Sequence, residues 1–124
     1  MDALTFTCKQ YGPNRVHLSG SFRPNSSSAP SATYYKGKWF AIARSSQGLF
    51  TITFADTVLD LESFHPHLRL ATAAARWAQG GTWDLATKVK QVRIVDGSGN
   101  VQDVSSDADN VLSFEAVVRV GSDW

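Results

Sequence analysis

The stretch from Lys88 to Val120, KVKQVRIVDGSGNVQDVSSDADNVLSFEAVVRV, constrains the fold more than any other part of the chain. From Leu112 onward, Leu112, Phe114, Ala116, Val118 and Val120 fall on one parity, and Ser113, Glu115, Val117 and Arg119 on the other. Period two is the signature of a half-buried strand. Wound as a helix, the same residues would place Glu115 and Arg119 on a face with Val111 and Leu112, and the apolar positions would ring the cylinder. Upstream, Val89 to Val95 is rich in β-branched residues and ends at Asp96-Gly97-Ser98-Gly99-Asn100, a strong turn signal. Val101 to Val104 is expected to return as a short strand, with Ser105 to Asn110 a polar link. The C-terminal third therefore reads as a β-meander, with Leu112–Val120 as a central strand.

Similar patterns recur upstream. Leu4, Phe6 and Cys8 alternate with Thr5, Thr7 and Lys9, and Val16, Leu18, Gly20 and Phe22 alternate with His17, Ser19 and Ser21. Around the turn residues Tyr11-Gly12-Pro13-Asn14 these form a hairpin, with Gly20 marking a bulge. Trp39–Ala43 and Leu49–Phe54 form a second hairpin about Ser45-Ser46-Gln47-Gly48, in which Gly48 can take positive φ. The segment from Ala55 to His67 reads as one helical turn or an irregular edge before Pro66. His67–Trp77 is read as a strand on its alternation, against an Ala-rich composition that favours helix. Gly80-Gly81-Thr82 reads as a turn. The expectation is an all-β, single-domain antiparallel β-sandwich or barrel spanning residues 1–124.

Between the first two hairpins lies Arg23–Thr33, RPNSSSAPSAT, longer than a usual connection and without an apolar face. It is a solvated loop, or an arm that orders on a neighbouring molecule. On the arm reading, Pro24, Ser26, Ser27, Ser28 and Pro30 are partner-binding residues; Trp124 is either a fraying terminal side chain or an aromatic anchor in a partner's pocket.

Charge and composition narrow the partners. Twelve Lys and Arg against eleven Asp and Glu give a net charge of +1, so no basic excess points to nucleic acid. Tyr34, Tyr35 and Trp39 beside Lys36 and Lys38 could form a base-stacking platform, but cross-strand aromatic packing is the expectation for so neutral a chain. The start, MDALTFTCKQ, has no basic region followed by an apolar run, and no stretch approaches the ~20 apolar residues of a membrane helix. Cys8 is the only cysteine, which excludes an intramolecular disulfide. A small buried strand residue is expected there rather than a reactive thiol. Aromatics make up 11% of the residues, more than one thin core readily hides, which suggests an interface.

Three constellations bear on chemistry. His65 and His67 would point the same way on a strand and could ligate zinc with Asp60 or Glu62, but Pro66 disfavours a regular strand, so loop histidines are expected. Asp96, Ser98 and Asn100 with Asp103, Asp107 and Asp109 suggest a calcium loop. Val101 and Asp107 nevertheless stand where that loop needs glycine and glutamate. No Gly-x-Ser-x-Gly elbow or Gly-rich phosphate loop is present, and no spacing rule assembles a triad. No catalytic residue, cofactor or metal is expected. An alternative function is a carbohydrate- or ligand-binding module stacking its ligand on Trp39, Trp77 or Trp83.

The segments Gly48–Phe54, Val92-Arg93-Ile94, Asp103-Val104 and Ser106-Asp107-Ala108-Asp109-Asn110 run into Leu112-Ser113-Phe114 and Val117-Val118-Arg119. Together they resemble a pattern in small virion structural proteins of tailed bacteriophages, some of which decorate or cement the capsid shell. The resemblance covers Gly48 to Val120, and no catalytic motif belongs to it. It implies a non-enzymatic protein made in the host cytoplasm and placed on the capsid surface of the virion. Its implied partners are the major capsid protein and copies of itself, a trimer before a dimer, with neither nucleic acid nor membrane bound.

Overall fold

A computed structural model describes residues 8–10, 15–30, 35–36 and 40–120. The strands are β1 (Cys8–Gln10), β2 (Arg15–Phe22), β3 (Tyr35–Lys36), β4 (Phe40–Ser46), β5 (Leu49–Phe54), β6 (Val58–Arg69), β7 (Arg76–Asp84), β8 (Val89–Asp96) and β9 (Val111–Val120). There is no helix among the described residues. All pairings are antiparallel. One sheet is five-stranded, in the order β1-β2-β9-β6 with β3 also on β2; the other is four-stranded, in the order β4-β5-β8-β7. The two pack face to face as a β-sandwich, the first of the two all-β forms expected.

The alternating residues of β9 all point into the core: Leu112, Phe114, Ala116, Val118 and Val120 are each at most 2% exposed. They meet Val16, Leu18 and Phe22 of β2 and Val58 of β6 on their own sheet, and Ile42, Phe50, Ile52, Phe54, Val92 and Ile94 from the facing sheet. Rings join the layers, Phe22 lying 5.0 Å from Phe50 and Phe114 lying 5.1 Å from Phe40 and 6.5 Å from Phe54, while Phe64 of the neighbouring strand stacks on Phe114 at 5.2 Å within the same sheet. Each such pair contributes about 0.5–1.5 kcal/mol beyond its area burial. Among the described aromatic side chains, all but Trp77 lie in the core or pack against it. The large exposed apolar residues among those described are Leu59, Trp77 and Leu85.

Several local expectations are corrected. The C-terminal third is not a meander, because β8 and β9 belong to different sheets. Val101 makes only an isolated bridge to Val95, and the segment from 97 to 110 carries the chain from one sheet to the other. Gly20 is no bulge, since the β2–β9 register runs without a break from Arg15 to Phe22. Instead a Cβ there would lie 2.3 Å from Phe40 Cζ and 2.9 Å from Phe114 Cζ, so glycine makes room for the rings. Gly80 and Gly81 lie inside β7, at a bulge rather than a turn.

Residues 55–67, expected as a helical turn or edge, are mostly strand, and β6 continues to Arg69. Its inward residues Val58, Leu61, Phe64, Pro66 and Leu68 oppose Val120, Val118, Ala116, Phe114 and Leu112. Two register shifts, between Val58 and Asp60 and between Leu61 and Ser63, insert the extra residues that break period two. Spacing of three over Val58, Leu61 and Phe64 is what imitates a helix. The strand expected over 67–77 is interrupted at 70–75, where the chain changes sheets.

On β8, Lys90 shares the inward parity of Val92 and Ile94. It lies at the rim, where Nζ donates to the Gly81 carbonyl at 2.7 Å and sits 5.4 Å from the Phe64 ring centroid. Burial pulls its amine below the usual lysine range.

Gly20→Ala should destabilise the protein by about 1–3 kcal/mol through overpacking against Phe40. Urea unfolding at constant m-value measures this. Combination with Phe40→Leu should recover part of the loss, and additive losses would show that Gly20 does not make room for that ring.

Candidate functional site

Because β9 is central, the residues between its core positions face outward in the middle of the five-stranded sheet. The register then composes the face in rows: Ser21, Ser113 and His67; Ser19, Glu115 and His65; His17, Val117 and Ser63. The three histidines of the sequence therefore share one surface. The short serines leave a groove of about 540 Å³, flanked by His65 and His67. A second depression of about 270 Å³, lined in part by His17, His65 and Glu115, adjoins it.

His17 Nε2 lies 3.2 Å from Glu115 Oε1. At the far end of the face Glu62 accepts from Arg15 Nε at 2.7 Å and from Arg119 Nη2 at 3.0 Å. The bond from Arg15, aided by Arg119, outweighs desolvation and holds the Glu62 carboxyl below the usual carboxylate range. These pairs are solvent-facing and add little stability, but they fix where charge sits.

His65 and His67 lie within a strand, not a loop, correcting the expectation drawn from Pro66. An edge strand tolerates a proline because one side of its backbone needs no ladder partner. The carboxylates considered beside them are committed elsewhere. Asp60 Oδ1 accepts from Trp83 Nε1 at 3.1 Å and from the Leu61 amide at 2.8 Å. Among the described residues no group of three or more His, Cys, Asp or Glu side chains is placed to hold a metal ion.

In the 96–110 segment the acids serve the backbone. Asp96 accepts from the amides of Asn100 at 3.0 Å and Ser98 at 2.9 Å, which, with Gln102, hold its carboxyl low. Asp103 accepts from Arg44 Nε at 3.1 Å, Arg44 Nη2 at 2.8 Å and the Gly48 amide at 2.9 Å. Gly48, at φ 64°, is obligatory there: a Cβ would lie 2.6 Å from the Gln102 nitrogen.

The described part of the Pro/Ser segment, 23–30, is folded back onto the body. Pro24 and Pro30 are buried and Ser26, Ser27 and Ser28 are exposed. The Ser26 amide donates to the Val104 carbonyl at 2.8 Å and the Ser28 amide to the Asn25 carbonyl at 2.8 Å, closing a tight turn. Residues 31–33, Tyr34, Trp39 and Trp124, with the side chains of Cys8, Tyr35 and Lys36, lie outside the described residues. Of the tryptophans considered as stacking surfaces, Trp77 and Trp83 are described and differ in exposure. Trp77 is 51% exposed, whereas Trp83 turns inward against Phe54, with centroids 6.0 Å apart.

Sequence reasoning missed the histidine face. Parity alone signals that His17, His65 and His67 point away from the core, but their strands become neighbours only through β9. Compared with known proteins, the chain matches no protein-family model, no curated protein and no solved structure.

The Arg44–Asp103 clamp predicts a pH-dependent term. Arg44, chiefly by hydrogen bonding, lowers the Asp103 carboxyl below its ordinary 3.8. A lowered folded-state value stabilises the fold above 3.8, and that stabilisation is lost as pH falls through the lowered value. Asp103→Asn should reduce the thermal midpoint at neutral pH by roughly 2–6 °C. The gap to the parent should close as the pH drops below the ordinary carboxylate range.

Proposed function

We propose that this chain is a non-enzymatic docking module, a virion structural protein that binds the major capsid protein lattice as a decoration or cement protein. The observation that supports docking is the form of its polar surface. The side chains of β2, β9 and β6 make a broad strand-built face with a groove open to solvent, a shape suited to another macromolecule's surface. The identity of the partner rests on the resemblance of Gly48–Val120 to small phage virion proteins. Copies of the chain, in a trimer before a dimer, would engage repeated lattice sites, so weak contacts add through multivalency.

The fold also favours one contact. The turn at 25–28 carries Ser26, Ser27 and Ser28 outward while its backbone is pinned to Val104. A preformed turn costs less to order on binding than a free arm. A second reading, a carbohydrate-binding module, has Trp77 in its favour: half exposed, with Gln79 two residues along β7 accepting from Arg93 Nε at 2.8 Å.

Mixed with undecorated capsids and sedimented, the parent should pellet with the shells in saturable amounts. Ser27→Arg with Ser28→Arg should keep the melting point and reduce affinity about tenfold, as a charge placed in an interface does. A parent that stays in the supernatant removes the decoration reading. Equal pelleting of parent and variant keeps decoration and removes the turn as a contact. Quenching of Trp77 fluorescence by oligosaccharides, abolished in Trp77→Ala, would favour the second reading instead.

A further inference from the structure

We infer that His65 and His67 form a two-point chelate for a borderline divalent transition-metal ion, of the Cu²⁺, Ni²⁺ or Zn²⁺ type, at the rim of the outer groove. This is independent of the docking proposal.

Both residues lie on β6 and face outward, opposite Glu115 and Ser113. Residues two apart on a strand are separated by about 6.6 Å along its axis, with side chains parallel. Two imidazoles at that spacing can converge on one ion at metal–nitrogen distances of about 2.0–2.1 Å. Pro66 between them fixes its own φ and limits the backbone motion that would part the pair. The residue that argued against a site in the sequence therefore stiffens it in the folded strand.

Both rings are also available. His65 and His67 are exposed, and neither makes a hydrogen bond or ion pair with the described residues. His17 differs, being engaged by Glu115. The groove beside the pair, floored by Ser113, is wide enough for an ion that keeps part of its water shell. Glu115, cross-strand from His65, places a carboxylate on the same face. The next outward cation on β6, Arg69, is drawn aside by Asp109, 3.9 Å away.

The chemistry sets the metal class. Two neutral nitrogens suit Cu²⁺, Ni²⁺ and Zn²⁺ and not the oxygen-seeking Mg²⁺ or Ca²⁺, and Cu²⁺ should bind most tightly in the divalent series. Among the described residues no group of three protein ligands closes around the ion, so its remaining positions go to solvent and binding is exchangeable rather than structural.

The test titrates untagged full-length protein with CuCl₂, NiCl₂ and MgCl₂ by calorimetry, with imidazole proton signals followed during Cu²⁺ addition. The expected result is one Cu²⁺ per chain, no Mg²⁺ heat, and broadening of the His65 and His67 signals before that of His17. His65→Ala and His67→Ala should each weaken Cu²⁺ binding about tenfold or more, since losing even a supporting group around a metal costs that much. His17→Gln should leave it within about twofold, a difference too small to mark a ligand. Circular dichroism establishes that each variant is folded. Binding that survives both His65→Ala and His67→Ala, or that falls equally in all three variants, overturns the proposal.

Discussion

The fold depends on the insertion of β9 between β2 and β6. Both neighbours are remote from it in sequence, so the five-stranded sheet stays in separate parts until the C-terminal strand arrives. Its five inward residues are all at most 2% exposed, and Phe114 is the one reached by the most other rings. Rings from β4, β5 and β6 meet that one side chain, so both layers and the β6 edge converge on it. Hydrophobic burial drives the assembly, and the exactness of its register comes from the pleat: a slip of one residue would turn Phe114 to solvent and Glu115 to the core.

The rest of the sandwich accommodates that strand. Gly20 gives up its side chain so that Phe40 and Phe114 can meet. β6 keeps Val58, Leu61, Phe64 and Leu68 facing inward by two bulges, and Asp60, at the first, is fixed by the Trp83 indole of the facing sheet. The crossing from β8 to β9 lacks regular structure, yet it is held at both sides. Asp103 ties it to Arg44 and Gly48 at the β4–β5 turn, and Val104 receives the Ser26 amide. Polar groups near the core are therefore used to hold connections. No described buried side-chain nitrogen or oxygen lacks a partner.

The outer face follows from the same insertion. A central strand with a small residue at Ser113 and an acid at Glu115 makes a trough, and the strands on either side bring imidazoles to its banks. Glu62 gathers Arg15 and Arg119 at the end of the face away from His67. A docking surface and a metal-chelating pair can coexist on such a face, because the first uses shape and the second uses two nitrogens.

The all-β class, the β4–β5 hairpin with its glycine turn and the parity of β2 and β9 were legible in the sequence, because period-two alternation encodes which side of a strand is wet without reference to any partner. The same local code failed at β6, where bulges give strand residues a helical spacing, and at Gly80-Gly81, where glycines sit in an irregular strand rather than a turn. It could not say that β8 and β9 part into different sheets, since a polar link closes a hairpin or crosses a sandwich equally well. Strand order was decided by tertiary structure alone, and with it the candidate site. His17, His65, His67 and Glu115 are outward on any reading of parity, but only the non-local pairing of β2, β9 and β6 makes them neighbours. Alternation is a property of one strand, whereas a sheet's surface belongs to the register between strands, which the core fixes on the opposite side.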